Sequence, residues 1–179
     1  MSASDLLATD GSREAELATR AAIKLAEGIG SGLHVIYVEP LPDFFMKKND
    51  AGTPGYDLEL FEKIEKEGRE TLWRLTWRVK VAGGSVAEDH LRMGPVTKEI
   101  VSLADELEVG LVVVGCRGLG RIRRTLAGSV SESVFRHAHC PVMVVRAKDK
   151  PPSPRGGRLR VRRVLSQNLG QASHALAQQ

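Results

Sequence analysis

Leu6, Leu7 and Ala8 form a short apolar run that Asp10, Gly11 and Ser12 stop, which reads as a strand and its exit loop. Residues 13 to 28 then carry Ala15, Ala18, Ala22, Ile23 and Ala26 at helical spacing, with Gly28 and Gly30 predicted to end the helix. LHVIYV, residues 33 to 38, reads as β-branched and apolar throughout, as expected of a strand covered on both faces of a parallel sheet, and Pro40 and Pro42 close it. Residues 39 to 56 show no period and contain three prolines, so a long loop is predicted there. Leu58, Phe61, Ile64, Gly68, Leu72, Leu75 and Val79 fall three or four apart and predict a long helix. A third strand, VAEDHLRM, follows Gly83 and Gly84, and Val96, Ile100, Val101 and Ala104 mark a helix opening after Gly94 and Pro95. LVVVG (111 to 115) and VMVV (142 to 145) are the last two strands, with Val130, Val134 and Phe135 marking the helix between them.

This βαβαβαβαβ order predicts one α/β domain, a doubly wound five-stranded parallel sheet with helices on both faces and strand order 3-2-1-4-5. Sheets of this kind take ligands beyond the carboxyl ends of their strands. The predicted domain spans residues 1–146. Residues 147–179 differ in kind: seven basic residues face Asp149 alone, a net +6, and no aromatic residue is present, so a mostly disordered tail is expected. Of the chain's overall +4, the body therefore carries 19 basic and 21 acidic residues, a net −2, which gives it no general attraction to nucleic acid. No apolar run approaches a membrane span and no secretory leader opens the chain, so a cytoplasmic protein with no membrane contact is expected. Cys116 and Cys140 are too few for a disulfide framework or a four-cysteine zinc site.

Chemistry concentrates in GCRGLGRIRRTLAGSVSE, residues 115 to 132, where four glycines and three hydroxyl residues are interleaved with four arginines. Glycine admits close backbone approach, arginine brings charge and serine a short donor, a combination suited to phosphate. Two phosphate loops are excluded by spacing. GxxxxGK[ST] fails because no lysine follows a glycine, and GxGxxG fails because Arg123 stands where the last glycine should be.

What the stretch does contain is G-x2-G-x9-G-[ST], formed by Gly115, Gly118, Gly128 and Ser129. This resembles the nucleotide-binding signature of the universal stress protein family, ATP-binding type. Its surroundings agree: ATDGS follows strand one, HVIYVEP strand two, and CPVMVVR lies at the last strand. The resemblance covers roughly residues 5 to 146. It departs from the pattern in three places: Gly110 stands where an aspartate usually precedes strand four, the first strand is short, and the basic tail has no counterpart.

The resemblance implies ATP, or ADP or AMP, with magnesium accompanying ATP, held between the strand-one loop and the glycine loop. Ala8 and Thr9 would border the nucleotide, Asp10 would reach its ribose or adenine, and Val38 would face the ring with its backbone. Gly115, Arg117 and Gly118 would lie along the phosphates, while Gly128, Ser129, Val130 and Ser131 open the last helix, whose free N–H groups and positive dipole end favour an anion. No catalytic residue is expected, since no carboxylate or histidine within the glycine loop stands ready to activate water. A nucleotide-dependent regulatory module, with a protein partner the sequence does not name, is the leading reading. A slow ATPase, and nucleic-acid binding through RGGRLRVRR, are the alternatives. The HAHC run, His137 to Cys140, lacks a second ligand set and is not expected to bind metal, and Trp73 and Trp77 are expected to cover the core edge. Strand five is apolar on both faces and uncharged from Cys140 to Val145, so a homodimer through Val142 to Val145 is expected, in the manner of the family resembled.

Overall fold

The computed structural model describes residues 4–41, 45, 58–116 and 128–146. In chain order its elements are β1 (Ser4–Ala8), α1 (Arg13–Ile29), β2 (Gly32–Glu39), α2 (Leu58–Val81), β3 (Glu88–Met93), α3 (Val96–Glu106), β4 (Leu111–Gly115), α4 (Ser129–His137) and β5 (Val142–Val145). All strand pairs are parallel and the order is β3-β2-β1-β4-β5, as the alternating pattern predicts. Among the described residues no helix is long and apolar enough to cross a membrane.

The continuous apolar runs are explained by the two cores, one on each sheet face. Leu6, Ala8, Ile36, Val38, Val112 and Val114 project to one side, against Ile100, Leu103 and Ala104 of α3 and Val134 of α4. Leu7, Leu33, Val35 and Val113 project to the other, against alanines and Ile23 of α1 and Leu72 and Val79 of α2. Each fully buried valine or leucine contributes roughly 1.5–3 kcal/mol to this arrangement. The alanine stripe of α1, Ala15 to Ala26, lets the helix lie close to the sheet.

Local signals set the helix ends. The Ser12 hydroxyl accepts the Ala15 N–H at 3.2 Å, and Glu14 and Glu16 sit in the first turn of α1 where the dipole favours them. At the other end only Gly30 is the breaker, in the left-handed region at φ 70°, and Gly28 lies inside the helix. Pro95 is the cap residue of α3 rather than part of its first turn.

Two expectations about side chains fail, at Trp73 and Trp77 and on β2. Trp73 and Trp77 do not cover the core edge: they are 65% and 56% exposed and lie parallel to each other, ring centroids 6.3 Å apart. On α4 it is Val134 that enters the core, together with Ser131, while Val130 and Phe135 face outward. Strand β2 is not apolar on both faces throughout, since His34 and Tyr37 are half-buried polar positions.

Strand β5 ends the sheet on one side. The carbonyls of Pro141 and Val145 accept N–H groups of Val112 and Cys116 at 2.9 and 2.7 Å. Strand alternation therefore turns the N–H groups of Val142 and Val144 away from β4.

Candidate functional site

β1 and β4 lie side by side, Ala8 opposite Val114, yet the chain leaves them in opposite directions. After β1 it enters α1 on one face, and after β4 it returns through α4 on the other. The divergence opens a crevice beyond the carboxyl ends of β1 and β4, the topological switch point of the sheet.

The β1 wall is built by short-range hydrogen bonds. Thr9, buried, donates its N–H to the Ile36 carbonyl at 3.2 Å, and its hydroxyl accepts the Gly11 N–H at 3.4 Å. Asp10 Oδ1 accepts the Ser12 N–H at 2.9 Å, an aspartate turn that fixes the carboxylate at the crevice rim. Ala8 and Val38 are buried on the sheet face shared with α3 and α4. On the opposite face of β2, toward α1 and α2, the Tyr37 hydroxyl donates to Glu39 Oε2 at 2.8 Å. Burial pushes the Tyr37 phenol up, and the Glu39 hydrogen bond and the Glu39 and Asp10 charges push the same way, so it stays a proton donor.

On the β4 wall, the Gly128 N–H donates to the Cys116 carbonyl, joining the residue after β4 to the residue before α4. Ser131 reinforces the junction: its hydroxyl bonds the Gly128 carbonyl at 3.0 Å and the Cys116 carbonyl at 3.4 Å. The side chain sequence reasoning offered to a phosphate is therefore buried and turned inward, and it serves as a clasp. Glu132 makes the first intrahelical bond, to the Gly128 carbonyl, so the N–H groups of Ser129, Val130 and Ser131 have no helical acceptor. Ser129 and Val130 are exposed.

Gly115 has a different reason from the one the motif suggests. A Cβ added there would lie 2.9 Å from the Glu14 carbonyl carbon and 3.0 Å from the Ala15 nitrogen, both backbone atoms of α1. Glycine at 115 lets the end of β4 pack on the start of α1. Gly110 is not constrained in this way: its N–H donates to the Ser4 carbonyl at 2.7 Å and an added Cβ would meet nothing nearer than 3.7 Å. Arg117 and Gly118, together with Arg121, Arg123 and Arg124, lie outside the described residues, as do the tail 147–179 and most of the 39–56 segment.

Residues 6–146 match the universal stress protein family. The chain belongs to that family. It is 31% identical over 148 residues to a universal stress protein of Methanocaldococcus jannaschii, covering 81% of this chain and 82% of the relative. A solved protein of the universal stress protein family from Burkholderia pseudomallei is 31% identical, with TM-score 0.57 over 80% or more of both chains (81% and 96%). A universal stress protein solved in complex with cAMP is 26% identical, with TM-score 0.59, covering 80% of this chain and 96% of that one.

Within this family frame, sequence reasoning missed the Cys116 carbonyl, the Tyr37–Glu39 pair and the packing role of Gly115. A carbonyl leaves no mark in the sequence. Polar residues inside an otherwise apolar strand are a mark, and Tyr37 and Glu39 carry it. The HAHC run shows no ligand geometry: His137 Nδ1 donates to the Ser133 carbonyl at 2.7 Å, His139 is exposed, and burial pushes the Cys140 thiol up, away from the thiolate a metal needs.

Proposed function

We propose that the chain binds an adenine nucleotide in the crevice between β1 and β4 and acts as a nucleotide-dependent regulatory module rather than as an enzyme. The observation that carries this is the start of α4: three successive N–H groups without helical acceptors, at the switch point, on a helix whose cap residue Gly128 is clasped to the end of β4. An anion is the ligand such a group favours. Family membership and the relative solved with cAMP support adenine as its base.

In this reading ATP, with magnesium, is the principal ligand, and ADP or AMP bind through the same groups. Ser129, Val130 and Ser131 offer backbone N–H groups to phosphate, and Arg117 and Gly118 complete that side. Asp10 accepts from ribose or adenine, and Ala8, Thr9 and Val38 border the ring. Gly115 acts indirectly, by holding α1 against β4. When bound, the nucleotide supplies negative charge that offsets the positive end of α4, and its presence or absence alters the surface offered to a protein partner.

Mass analysis of nucleotide that co-purifies with the full chain is the direct test, with ATP, ADP or AMP expected. Gly128→Val sharpens it. Gly128 lies at φ −67°, ψ 152°, backbone that valine adopts freely, so the variant should fold while its branched side chain stands where phosphate approaches. Loss of nucleotide affinity of roughly a hundredfold or more is expected, the weight of nearly 3 kcal/mol. Unchanged affinity in the folded variant sinks the assignment.

We further propose a homodimer through β5. The outward N–H groups of Val142 and Val144, and the exposed Val130 and Phe135 on the neighbouring α4, support a symmetric contact between two copies. Val144→Pro removes a donor that faces away from β4, so it should leave the monomer's own sheet intact and halve the mass seen by light scattering. A monomeric wild type at micromolar concentration, or a dimeric variant, overturns this interface.

A further inference from the structure

At the other end of the sheet, three side chains unrelated to the crevice converge. Parallel pairing sets His34 of β2 opposite Glu88 of β3, and Ile36 opposite His90. Alternation then puts His34, Glu88 and His90 on one sheet face, at the β3 edge and toward the strand amino ends. His34 Nδ1 and His90 Nε2 are 3.1 Å apart, and His90 Nε2 is 3.9 Å from Glu88 Oε2. The ring planes differ by 24° with centroids 5.4 Å apart. That separation exceeds the nitrogen distance by little more than two ring radii, so the rings meet edge to edge, with the two nitrogens facing each other.

We propose that His34, Glu88 and His90 form a binding site for a divalent transition-metal ion of the zinc class, with His34 Nδ1, His90 Nε2 and a Glu88 carboxylate oxygen as ligands and water in the fourth position. A tetrahedral ion with bonds of about 2.0–2.1 Å holds its ligand atoms roughly 3.3 Å apart. The three atoms already lie within 4.8 Å of one another, and the two distances above bracket that spacing. Two imidazoles select against magnesium and calcium, which prefer all-oxygen shells. Glu88 is 63% exposed, which gives an ion an entry path, whereas the His90 side chain is only 13% exposed and holds its place.

The charges around the site agree with an ion binding there. Arg92, on the same face of β3, is the nearest cation, and its guanidinium donates to Glu106 of α3, which also accepts the Ser102 hydroxyl at 3.1 Å. That pair offsets a charge that would repel a metal. Burial holds His90 below the usual histidine range, with His34 and Arg92 adding to it and Glu88 and Asp89 opposing. In the empty pair one facing nitrogen carries the bridging proton. When an ion binds, that ring's proton moves through water to its other nitrogen with no net change in proton number, and the two rings, whose nitrogens point at each other in the empty pair, turn so that both lone pairs converge on the ion.

The full chain, stripped with a chelator and titrated with Zn2+ against a chromophoric chelator, should bind one ion at this site. His34→Gln and His90→Gln should each weaken that binding roughly tenfold or more, and Glu88→Gln, which alters an exposed side chain without disturbing the core, should weaken it in the same direction. Zn2+ should raise the melting temperature of the wild type and not that of the variants. A His139→Gln, Cys140→Ser variant should bind as the wild type does. The site is overturned if wild type holds Zn2+ no more tightly than Glu88→Gln and the His34→Gln, His90→Gln variant do, or if the tight ion is lost with Cys140 instead.

Discussion

The two ends of the sheet are built from different materials. At the carboxyl ends of β1 and β4 the arrangement is built from main chain: N–H groups at the start of α4, the Cys116 and Gly128 carbonyls that hold that start in place, and a glycine that lets two backbones touch. At the amino ends of β2 and β3 the groups are side chains, brought together by strand register across 56 residues of sequence. A main-chain site depends on glycines and small hydroxyl residues at fixed intervals along one stretch, and so leaves a motif. A side-chain site depends on which residues a pairing happens to align, and leaves none.

The strongest way to break the comparison is at Gly115. Gly115→Ala should place a methyl 2.9–3.1 Å from the backbone of Glu14 and Ala15, atoms that cannot rotate aside. Overpacking of this kind costs about 2–3 kcal/mol, so the melting temperature should fall by roughly 10 °C, read by calorimetry. A variant as stable as the wild type would show that the β4 end and α1 are free to separate, and the crevice wall would lose its explanation.

Ser131→Ala comes next. It removes the buried hydroxyl that bridges the Cys116 and Gly128 carbonyls, each of which keeps its main-chain donor, a loss of about 1 kcal/mol in denaturant titration. Because it also frees the start of α4, nucleotide affinity should weaken with it, even though the hydroxyl is turned away from the crevice. Weaker binding with unchanged stability would instead mean that the hydroxyl meets the ligand directly.

The smallest effect is at the side-chain end. With its folded pKa held low, His90 adds stability that is complete above about pH 6.5, the unfolded value, and is lost as pH falls through the lower folded value, since the unfolded chain takes up the proton first. In metal-free buffer the melting temperature of the wild type should therefore drop more steeply below pH 6.5 than that of His90→Gln. Equal slopes would show that the histidine pair is not the group that responds.

The element order and the strand order were legible because β4 and β5 are nearly uniform in apolar residues, short apolar runs mark β1 and β2, and turn residues separate the periods cleanly. Which way a given side chain faces was much less so. Trp73 and Trp77 lie off the apolar stripe of α2, and periodicity has no means of saying whether a flanking tryptophan folds onto the core edge or stands in solvent. Val130, Val134 and Phe135 marked α4 together, yet their spacing did not say which of them turns inward, and the buried positions are Val134 and Ser131. In the candidate site, spacing found Gly115 and Ser131 but not their contacts within the protein, since a motif records which residues are present and not what they pack against.

The clasp between Cys116 and Gly128 makes the segment it encloses a cassette. Both of its ends are held by the fold, so the span it must bridge is fixed from outside. Between ends fixed in this way, each doubling of length costs only about 0.6 kcal/mol in closure entropy, so the fold sets the two anchors far more strictly than the length of chain between them. Gly115 and Ser131, which hold those anchors, answer to the packing of the domain itself.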